Sequence, residues 1–425
     1  MPSVIRISAQ GKAKDLGSTE ATNEGNLQDL DTMVPLIQAL IPLGLQAFAE
    51  VMQAEVAALV GPKYSRTGGQ PGFVRWGRQR GSIFLADQKV PVAVQRVRDR
   101  LHDAEIPLQS YHRLQAPRRA DGGLFRKVLL GLSCRDYRAS AEAVPEAFGL
   151  SASSVSRRFI RASAKQLQAL QERRLDGYDV VALILDGKSF AADAMVVALG
   201  ITLTGEKVIL GFVQTATENE RVCAAFLREL VERGLRVEAG LLCVIDGAKG
   251  LRKAIRTVFG ARTPVQRCQW HKRENVVAYL PQGQQAPWRR KLQAAYEQPT
   301  YAEAKAALLR CRRELGLLNE SAVRSLDEGL EETLTLHRLG VFRELGISLK
   351  TTNCLESLNA LVEQRTGKVD CWRSSDQKQR WLAAALLDIE PRLRRIKGFR
   401  ALPLLQRALL AEVQGEEGTK TIQAA

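Results

Sequence analysis

The apolar positions of this chain change period several times, and each change predicts a change of element. Residues 33–60 carry apolar side chains at helical spacing and stop at Gly61-Pro62, where glycine and proline end a helix. The 30 residues before it are polar and lack aromatics, a composition that cannot bury a core, so 1–30 is expected to be disordered. Two short apolar runs, 82–86 and 89–97, read as a hairpin. From 123 to 170 the spacing is helical again. Within that stretch 139–148 and 153–162, separated by Gly149-Leu150-Ser151, read as a helix-turn-helix. Gly149 suits the stop of the first helix, and Ser151 or Ser153 the N-cap of the second.

The next hundred residues alternate in a more ordered way. Residues 179–185 form an apolar strand ending at Asp186-Gly187, and 194–203 and 207–214 form a hairpin about Thr204-Gly205-Glu206. A helical pattern over 218–234 closes at Gly234. Another apolar strand, 240–245, ends at Asp246-Gly247, followed by a helical 248–258 and a short strand over 264–269. The order is βββαβαβ, which mixed α/β folds produce, the ribonuclease-H fold among them. Residues 284–347 break the alternation and read as an all-helical insertion, with Thr300 and Glu303 as a capping box. A helix over 352–365 follows. From 378 a basic helical tail is expected, frayed over 414–425. The divisions this predicts are 1–30, 31–120, 121–175, 176–281, 282–347, 348–377 and 378–425.

Charge changes the picture. In 425 residues, 62 Lys and Arg stand against 46 Asp and Glu, a net of +16 with a pI near 9.7. Such an excess fits a polyanionic partner, because each cation placed at a phosphate releases a condensed counterion. Half of it lies in 61–120, with twelve Lys and Arg and four Asp and Glu. There Arg75, Arg78 and Arg80 interleave with Gly, and they are candidate DNA contacts, as are Arg157, Arg158 and Arg161 on the second helix of the helix-turn-helix. A merely solvated loop or an ordinary helical hairpin would carry similar charges. No uninterrupted apolar run of about 18 residues and no signal peptide is seen, so a membrane role is not expected. The seven Cys are scattered with no CxxC pair, which argues against a disulfide framework and fits a reducing cytoplasm.

Candidate chemistry lies in the acids. Asp186 and Asp246 each end a buried strand, where α/β sheets expose their sites, and carboxylate oxygens suit a hard cation such as Mg²⁺. Asp-Gly is also ordinary turn chemistry. A third acid, Glu356, lies in Thr351-Thr352-Asn353-Cys354-Leu355-Glu356-Ser357-Leu358-Asn359, with Asn359 beside it one turn on. Asn353 and Glu356 could equally form a capping box, and Glu363 is an alternative ligand. Three carboxylates can bind two metals roughly 3.5–4 Å apart for in-line displacement at phosphorus, which needs no protein nucleophile. Cys268-x-x-His271 has three readings: half of a zinc site, a buried Cys at a strand end, or a His beside the metal site.

Together these residues resemble the Mutator-type transposases of bacterial insertion sequences. The stretches that carry the resemblance are Leu185-Asp186-Gly187, Ile245-Asp246-Gly247-Ala248-Lys249-Gly250, Gln266-Arg267-Cys268 with His271 and Asn275, and Thr351-Thr352-Asn353 with Glu356-Ser357-Leu358-Asn359. It covers roughly residues 40–365. The resemblance implies a ribonuclease-H-like catalytic core with a DDE triad of Asp186, Asp246 and Glu356 holding two Mg²⁺ or Mn²⁺ ions. It also implies His271 as a catalytic group, with Cys268 and Asn359 as active-site neighbours. The implied partners are double-stranded DNA, as terminal inverted repeats and as target, and a second copy of the chain, because two DNA ends must meet. Lys188 and Glu274 depart from the family's pattern. The rival readings are a ribonuclease-H-fold nuclease that only hydrolyses, and a catalytically inactive, domesticated DNA-binding protein.

Overall fold

A computed structural model of the chain describes residues 6–7, 13–14, 43–64, 69–85, 88–115, 120–141, 147–190, 193–215, 219–260 and 263–423. It is a mixed α/β protein. Apart from a two-residue antiparallel pair, β1 (Arg6–Ile7) with β2 (Ala13–Lys14), the expected disordered start lies outside the described residues, as do 33–42 of the first expected helix. The chain divides into two compact units. One comprises Met1–Asp121 and Tyr137–Ser151, the other Gly122–Asp136 and Ala152–Ala425.

In the first unit the described helix α1 spans 43–60 and ends at Gly61 with φ +85°. Three antiparallel strands follow, β3 (Phe73–Leu85), β4 (Gln88–Asp99) and β5 (Ala104–Ile106), then α2 (Gln109–Gln115). The hairpin exists but is longer than the apolar runs predicted. Over 76–80 strand β3 is exposed, so it carries no apolar alternation and is held by backbone pairing such as Arg78↔Gln95 and Arg80↔Ala93. A bulge between Arg75 and Arg78 contains Gly77, whose φ of +90° suits glycine. By length and composition α1 could cross a bilayer. However, its Phe48, Met52 and Val56 pack with Ile83, Val94 and Val97 of the hairpin. Its Glu55 carboxylate accepts from the Gln109 and Ser110 backbone amides at 2.6 and 3.0 Å.

The second unit begins with α3 (Ala120–Leu129) and α4 (Ala152–Gln171). Helix α4 is longer than the predicted second helix of a helix-turn-helix. The expected first helix, 139–148, is not a helix at its described ends: 139–140 form a turn, and Phe148 pairs with Lys89 as an isolated bridge. Residues 142–146 lie outside the described residues. Gly149 does take the left-handed conformation, φ +93°, but it follows a bridge rather than a helix.

Five strands form the sheet of this unit: β6 (Val180–Phe190), β7 (Asp193–Thr202), β8 (Lys207–Thr215), β9 (Leu242–Ile245) and β10 (Val265–Arg267). Helix α5 (Glu220–Glu232) precedes β9 and α6 (Lys249–Phe259) follows it. The sheet order is β10-β9-β6-β7-β8. Pairing is antiparallel among β6, β7 and β8 and parallel among β6, β9 and β10. The strands read as continuous apolar runs because helices cover both faces. Ile184, Val197, Leu242 and Val244 belong to one core, while Leu183, Leu185, Cys243 and Ile245 face the other, under α5 and α6.

Helices α7 (Gln269–Val277), α8 (Gln282–Tyr296), α9 (Tyr301–Gly316), α10 (Glu320–Asp327), α11 (Leu330–Thr333), α12 (Thr335–Arg338) and α13 (Phe342–Leu349) follow without a strand. A separate core of Val276, Trp288, Leu292, Leu308, Leu326 and their neighbours holds most of them. The Thr300–Glu303 capping box is present at the start of α9. Then come α14 (Asn353–Thr366), α15 (Ser375–Ile389) and α16 (Leu402–Gln423). The segment expected as a separate tail from 378 is instead integral. Leu382, Leu386, Ile389, Leu402, Leu405 and Leu409 complete the core over the sheet with Leu355, Leu358 and Val362 of α14. Charge around Arg392–Arg400 masked that apolar stripe in the sequence.

Candidate active site

Strand alternation decides where the first two acids point. Successive side chains of a strand face opposite sides. Ile184 and Val244 face the α14 side of the sheet, so Asp186 and Asp246, each two residues further on, lie toward that same side. Leu185 pairs with Ile245 across the parallel β6–β9 ladder, which sets the two aspartates next to each other. One expectation needs correcting: Asp186 does not end its strand. Strand β6 continues to Phe190 on its β7 edge, with Asp186 opposite Val197, while β9 stops at Ile245. The site forms where β6 outruns its parallel neighbour.

Backbone bonds bring in the remaining elements. The Cys268 amide donates to the Ile245 carbonyl at 2.7 Å, and the Gln269 amide to the Lys350 carbonyl at 2.9 Å. These two bonds fix the start of α7 between the end of β9 and the approach to α14. They set His271 with its Nε2 3.8 Å from Glu356 Oε1. Trp270, 43% exposed, lies edge-on to the His271 ring at 4.8 Å. Cys268 and Thr352 are fully buried, and the Thr352 hydroxyl lies 3.8 Å from the Cys268 sulfur and within hydrogen-bonding reach of Asp186.

The capping-box alternative for Glu356 is not what the structure contains. Thr352, not Asn353, is the N-cap of α14 and its side chain makes no capping bond, while the Asn353 amide donates to the Thr351 hydroxyl at 3.4 Å. The Glu356 carboxylate is therefore free of a structural duty at the helix start. Glu363, the alternative third acid, is engaged: Lys188 Nζ donates to its Oε2 at 3.0 Å and to the Asn359 carbonyl at 2.9 Å. The other departure from the family pattern also has a partner, since Glu274 bonds Arg289 of α8 at 2.7 Å.

Electrostatics mark the cluster. Asp186 is 7% exposed, and burial, followed by the nearby Asp246 carboxylate, pushes its pKa up to about 7. The Glu356 carboxylate adds to this rise, and His271 opposes it. On the His271 side, the Cys268 sulfur first and then the Asp186 and Asp246 carboxylates favour the imidazolium, raising its pKa to about 9 against burial. Its Nδ1 is buried without a hydrogen bond of ordinary geometry. Among the described residues, no three His, Cys, Asp or Glu side chains are gathered tightly enough to hold a metal ion by themselves. The Cys268–His271 pair thus has no second pair to complete a zinc site.

Sequence reasoning overlooked what supports the Asp246 turn. Gly247 has φ +115°, and a Cβ there would lie 2.2 Å from Arg267 Nε. Asp246 closes the turn by accepting from the Ala248 amide at 2.9 Å. Arg267 is buried under it and donates to the Glu328 carbonyl at 2.8 Å, as does fully buried Lys272 at 2.6 Å. Burial, then Arg267, lowers the Lys272 pKa to about 8. Gly247→Ala is expected to destabilise the fold by about 1–3 kcal/mol, the cost of placing an L side chain at this φ against Arg267. A thermal melt that matches wild type would refute this.

The candidate DNA contacts divide differently. Arg78 and Arg80 are exposed on β3, whereas Arg75 turns inward and donates to the Gly61 carbonyl at 2.8 Å. A groove of about 610 Å³ in this unit is lined by Lys63, Arg75, Arg78 and Arg96 among others. On α4, Arg157 and Arg161 are exposed, but Arg158 is buried, on the stripe that also buries Val155 and Phe159. The three arginines span about 100° of the helix, and packing claims Arg158, the one nearest the stripe of Val155 and Phe159.

The fold and the cluster define a mixed α/β protein in which an aspartate on one strand and another just past the end of its parallel neighbour lie toward a helix-borne glutamate beside a histidine. Residues 21–393 match the family described as "Transposase, Mutator family". The chain belongs to that family. The transposase of insertion sequence element IS6120 from Mycolicibacterium smegmatis is 30% identical over 245 residues, 56% of this chain and 74% of that protein. The transposase of ISRM5 from Rhizobium meliloti is 29% identical over 350 residues, 80% and 84% of the two chains. That of IS1081 from Mycobacterium tuberculosis is 27% identical over 391 residues, 88% and 89%.

Proposed function

We propose that this chain is a DDE transposase with a ribonuclease-H-like core. In this reading it binds the terminal inverted repeats of its element, cleaves to expose 3′-hydroxyls and joins them to target DNA. The observation that supports the reading is the placement of Asp186 on β6 and of Asp246 just past the end of the adjacent parallel strand β9, both toward the helix that bears Glu356. A five-stranded sheet with three antiparallel strands and two parallel ones, in the βββαβαβ order, is what a ribonuclease-H-like core requires.

The donor set fits Mg²⁺ or Mn²⁺. Burial, and after it the Asp246 carboxylate, disfavours the charged form of Asp186, and a divalent cation would favour it. Mg²⁺ is typically held by one or two carboxylates, with waters and substrate phosphates completing its shell, so a closed cage of protein ligands is not needed. Asp186, Asp246 and Glu356 would hold two ions, which when bound supply activation of an oxygen nucleophile and neutralisation of the leaving oxygen. The chain's own residues do the rest. The three carboxylates, which alone would repel a phosphodiester, would serve as the holders of those ions. His271, as imidazolium, offsets their charge, with its Nε2 3.8 Å from the Glu356 carboxylate. No side-chain nucleophile enters. Two copies of the chain, or more, assemble on two DNA ends in the bacterial cytoplasm.

The test is incubation with DNA carrying the element's ends and a target. Products with element 3′ ends covalently joined to target support transposition. Cleavage with no joined product would move the assignment to a hydrolytic nuclease, and tight binding with neither product to an inactive DNA-binding protein. The basic ribbon of β3 is assigned to the DNA backbone. Arg78→Ala with Arg80→Ala is expected to flatten the slope of log K against log salt by about 2, one unit per lost phosphate contact. Fluorescence anisotropy across a salt series measures this, and an unaltered slope would remove both residues from the interface.

A further inference from the structure

Asp186 and Lys188 are two residues apart on β6 and share one face of the strand. Glu356 and Glu363 are seven residues apart on α14, close to two full turns, so they share one stripe of the helix. By pattern alone either glutamate could reach the aspartates. Between them lies Asn359, whose backbone carbonyl accepts from Lys188 Nζ at 2.9 Å, while Glu363 Oε2 accepts from the same ammonium at 3.0 Å. Lys188 is largely covered, with 22% of its side chain exposed against 63% for Glu363.

We infer that Lys188 is a positioning residue that selects the third acid of the site. It pins α14 to β6 at Asn359 and ties Glu363 away from the aspartates, so that Glu356 alone completes the cluster. The inference rests on the two-metal reading above. Three features of lysine suit the task. Its flexible stem reaches from the strand to the helix. Its ammonium has three donors, enough for a carbonyl and a carboxylate together. Its charge cancels the second glutamate on a stripe that already faces two aspartates. An apolar residue at this position would leave both glutamates available and remove the polar tie at the middle turn, with only the packing of Leu355, Leu358 and Val362 left to hold the helix.

The experiment compares Lys188→Met, Lys188→Arg, Glu363→Gln and the double variant Lys188→Met/Glu363→Gln with wild type and with Glu356→Gln. Two quantities are read: cleavage of end DNA in Mg²⁺, and Mn²⁺ affinity of the protein bound to pre-cleaved end DNA, from the electron paramagnetic resonance signal of free Mn²⁺. Lys188→Met is expected to cleave about tenfold more slowly, the scale of losses seen when a group supporting metal ligands is removed. It should also bind Mn²⁺ more tightly, because a cation is lost and a carboxylate is freed. Adding Glu363→Gln should return the Mn²⁺ affinity to wild type and recover part of the cleavage. A lysine that mattered only for folding would show no such rescue. Wild-type cleavage and Mn²⁺ affinity in Lys188→Met would overturn the inference, as would a double variant no faster than the single. Where Lys188→Met fails to fold, Lys188→Arg keeps the donors and should cleave within about threefold of wild type, and a tenfold loss there counts against the role. Cleavage that persists in Glu356→Gln would instead overturn the two-metal reading, whatever Lys188 does.

Discussion

Glu356→Gln and Asp186→Asn are each expected to lower metal-dependent cleavage of element ends by about 10³-fold or more, with end binding retained. A carboxamide keeps the shape of the carboxylate but loses its charge. If the two carboxylates share metal ions, losing one removes several kcal/mol of charge stabilisation from the transition state, and each 1.36 kcal/mol is a factor of ten in rate. Asp246→Asn should behave alike, since Asp246 follows Ile245, the partner of Leu185, and its charge acts on Asp186. The three losses should not multiply when combined, because the acids act as a unit. Gel analysis of nicked and joined products reads the outcome. Full cleavage by Glu356→Gln would sink its assignment and return attention to Glu363.

The second large effect concerns stability and runs the opposite way. Asp186→Asn should stabilise the fold at pH 8 in chelator while destroying activity. The reference carboxyl titrates near 3.8, and burial with the Asp246 charge lifts that of Asp186 to about 7 in the folded protein. Between those values the folded state holds a proton that the unfolded state has released. Stability therefore falls as pH rises from about 4 to 7, and the penalty persists above. The difference of about three units sets an upper bound on the order of 4 kcal/mol. The value of about 7 already includes the opposing effect of the His271 imidazolium. His271 itself, with its pKa raised to about 9, contributes stability that is complete below its unfolded value near 6.5 and is lost through pH 9. Both groups make the wild-type protein less stable toward alkaline pH. Thermal melts at pH 5 and pH 8 should show the advantage of Asp186→Asn growing with pH. Mg²⁺ should raise the wild-type melting temperature and leave the variant nearly unmoved, by mass action on the folded state. A variant that melts below wild type at pH 8 would show that Asp186 is not held under strain. Such a cost, kept at a site where activity needs it, is the familiar conflict between stability and function.

Much of this protein is local in origin, and so legible in the sequence. The strands β6 and β9 are unbroken apolar runs because both faces of the sheet are covered, and that pattern needs no tertiary knowledge to read. The Thr300–Glu303 capping box spans four residues and was readable for the same reason. The three acids stood out because each lies beside a recognisable element. The polar half of β3 did not, since cross-strand pairing holds it with no apolar stripe. The expected helix-turn-helix leaned on Gly149, which adopts a left-handed turn after strands as readily as after helices.

The sequence by itself determined the order of strands and helices in the second unit up to β10, the apolar character of the strands, and a short set of candidate carboxylates, Asp186, Asp246, Glu356 and Glu363. Only the tertiary structure decided among the alternatives. It placed Arg158 in the interior, joined the supposed tail to the core, made Thr352 the cap of α14 and tied Glu363 to Lys188. The physical reason is separation along the chain. Lys188 and Glu363 are 175 positions apart, Cys268 and Thr352 are 84 apart, and no local period encodes such a meeting. Periodicity states which way a side chain faces; only packing states what it faces.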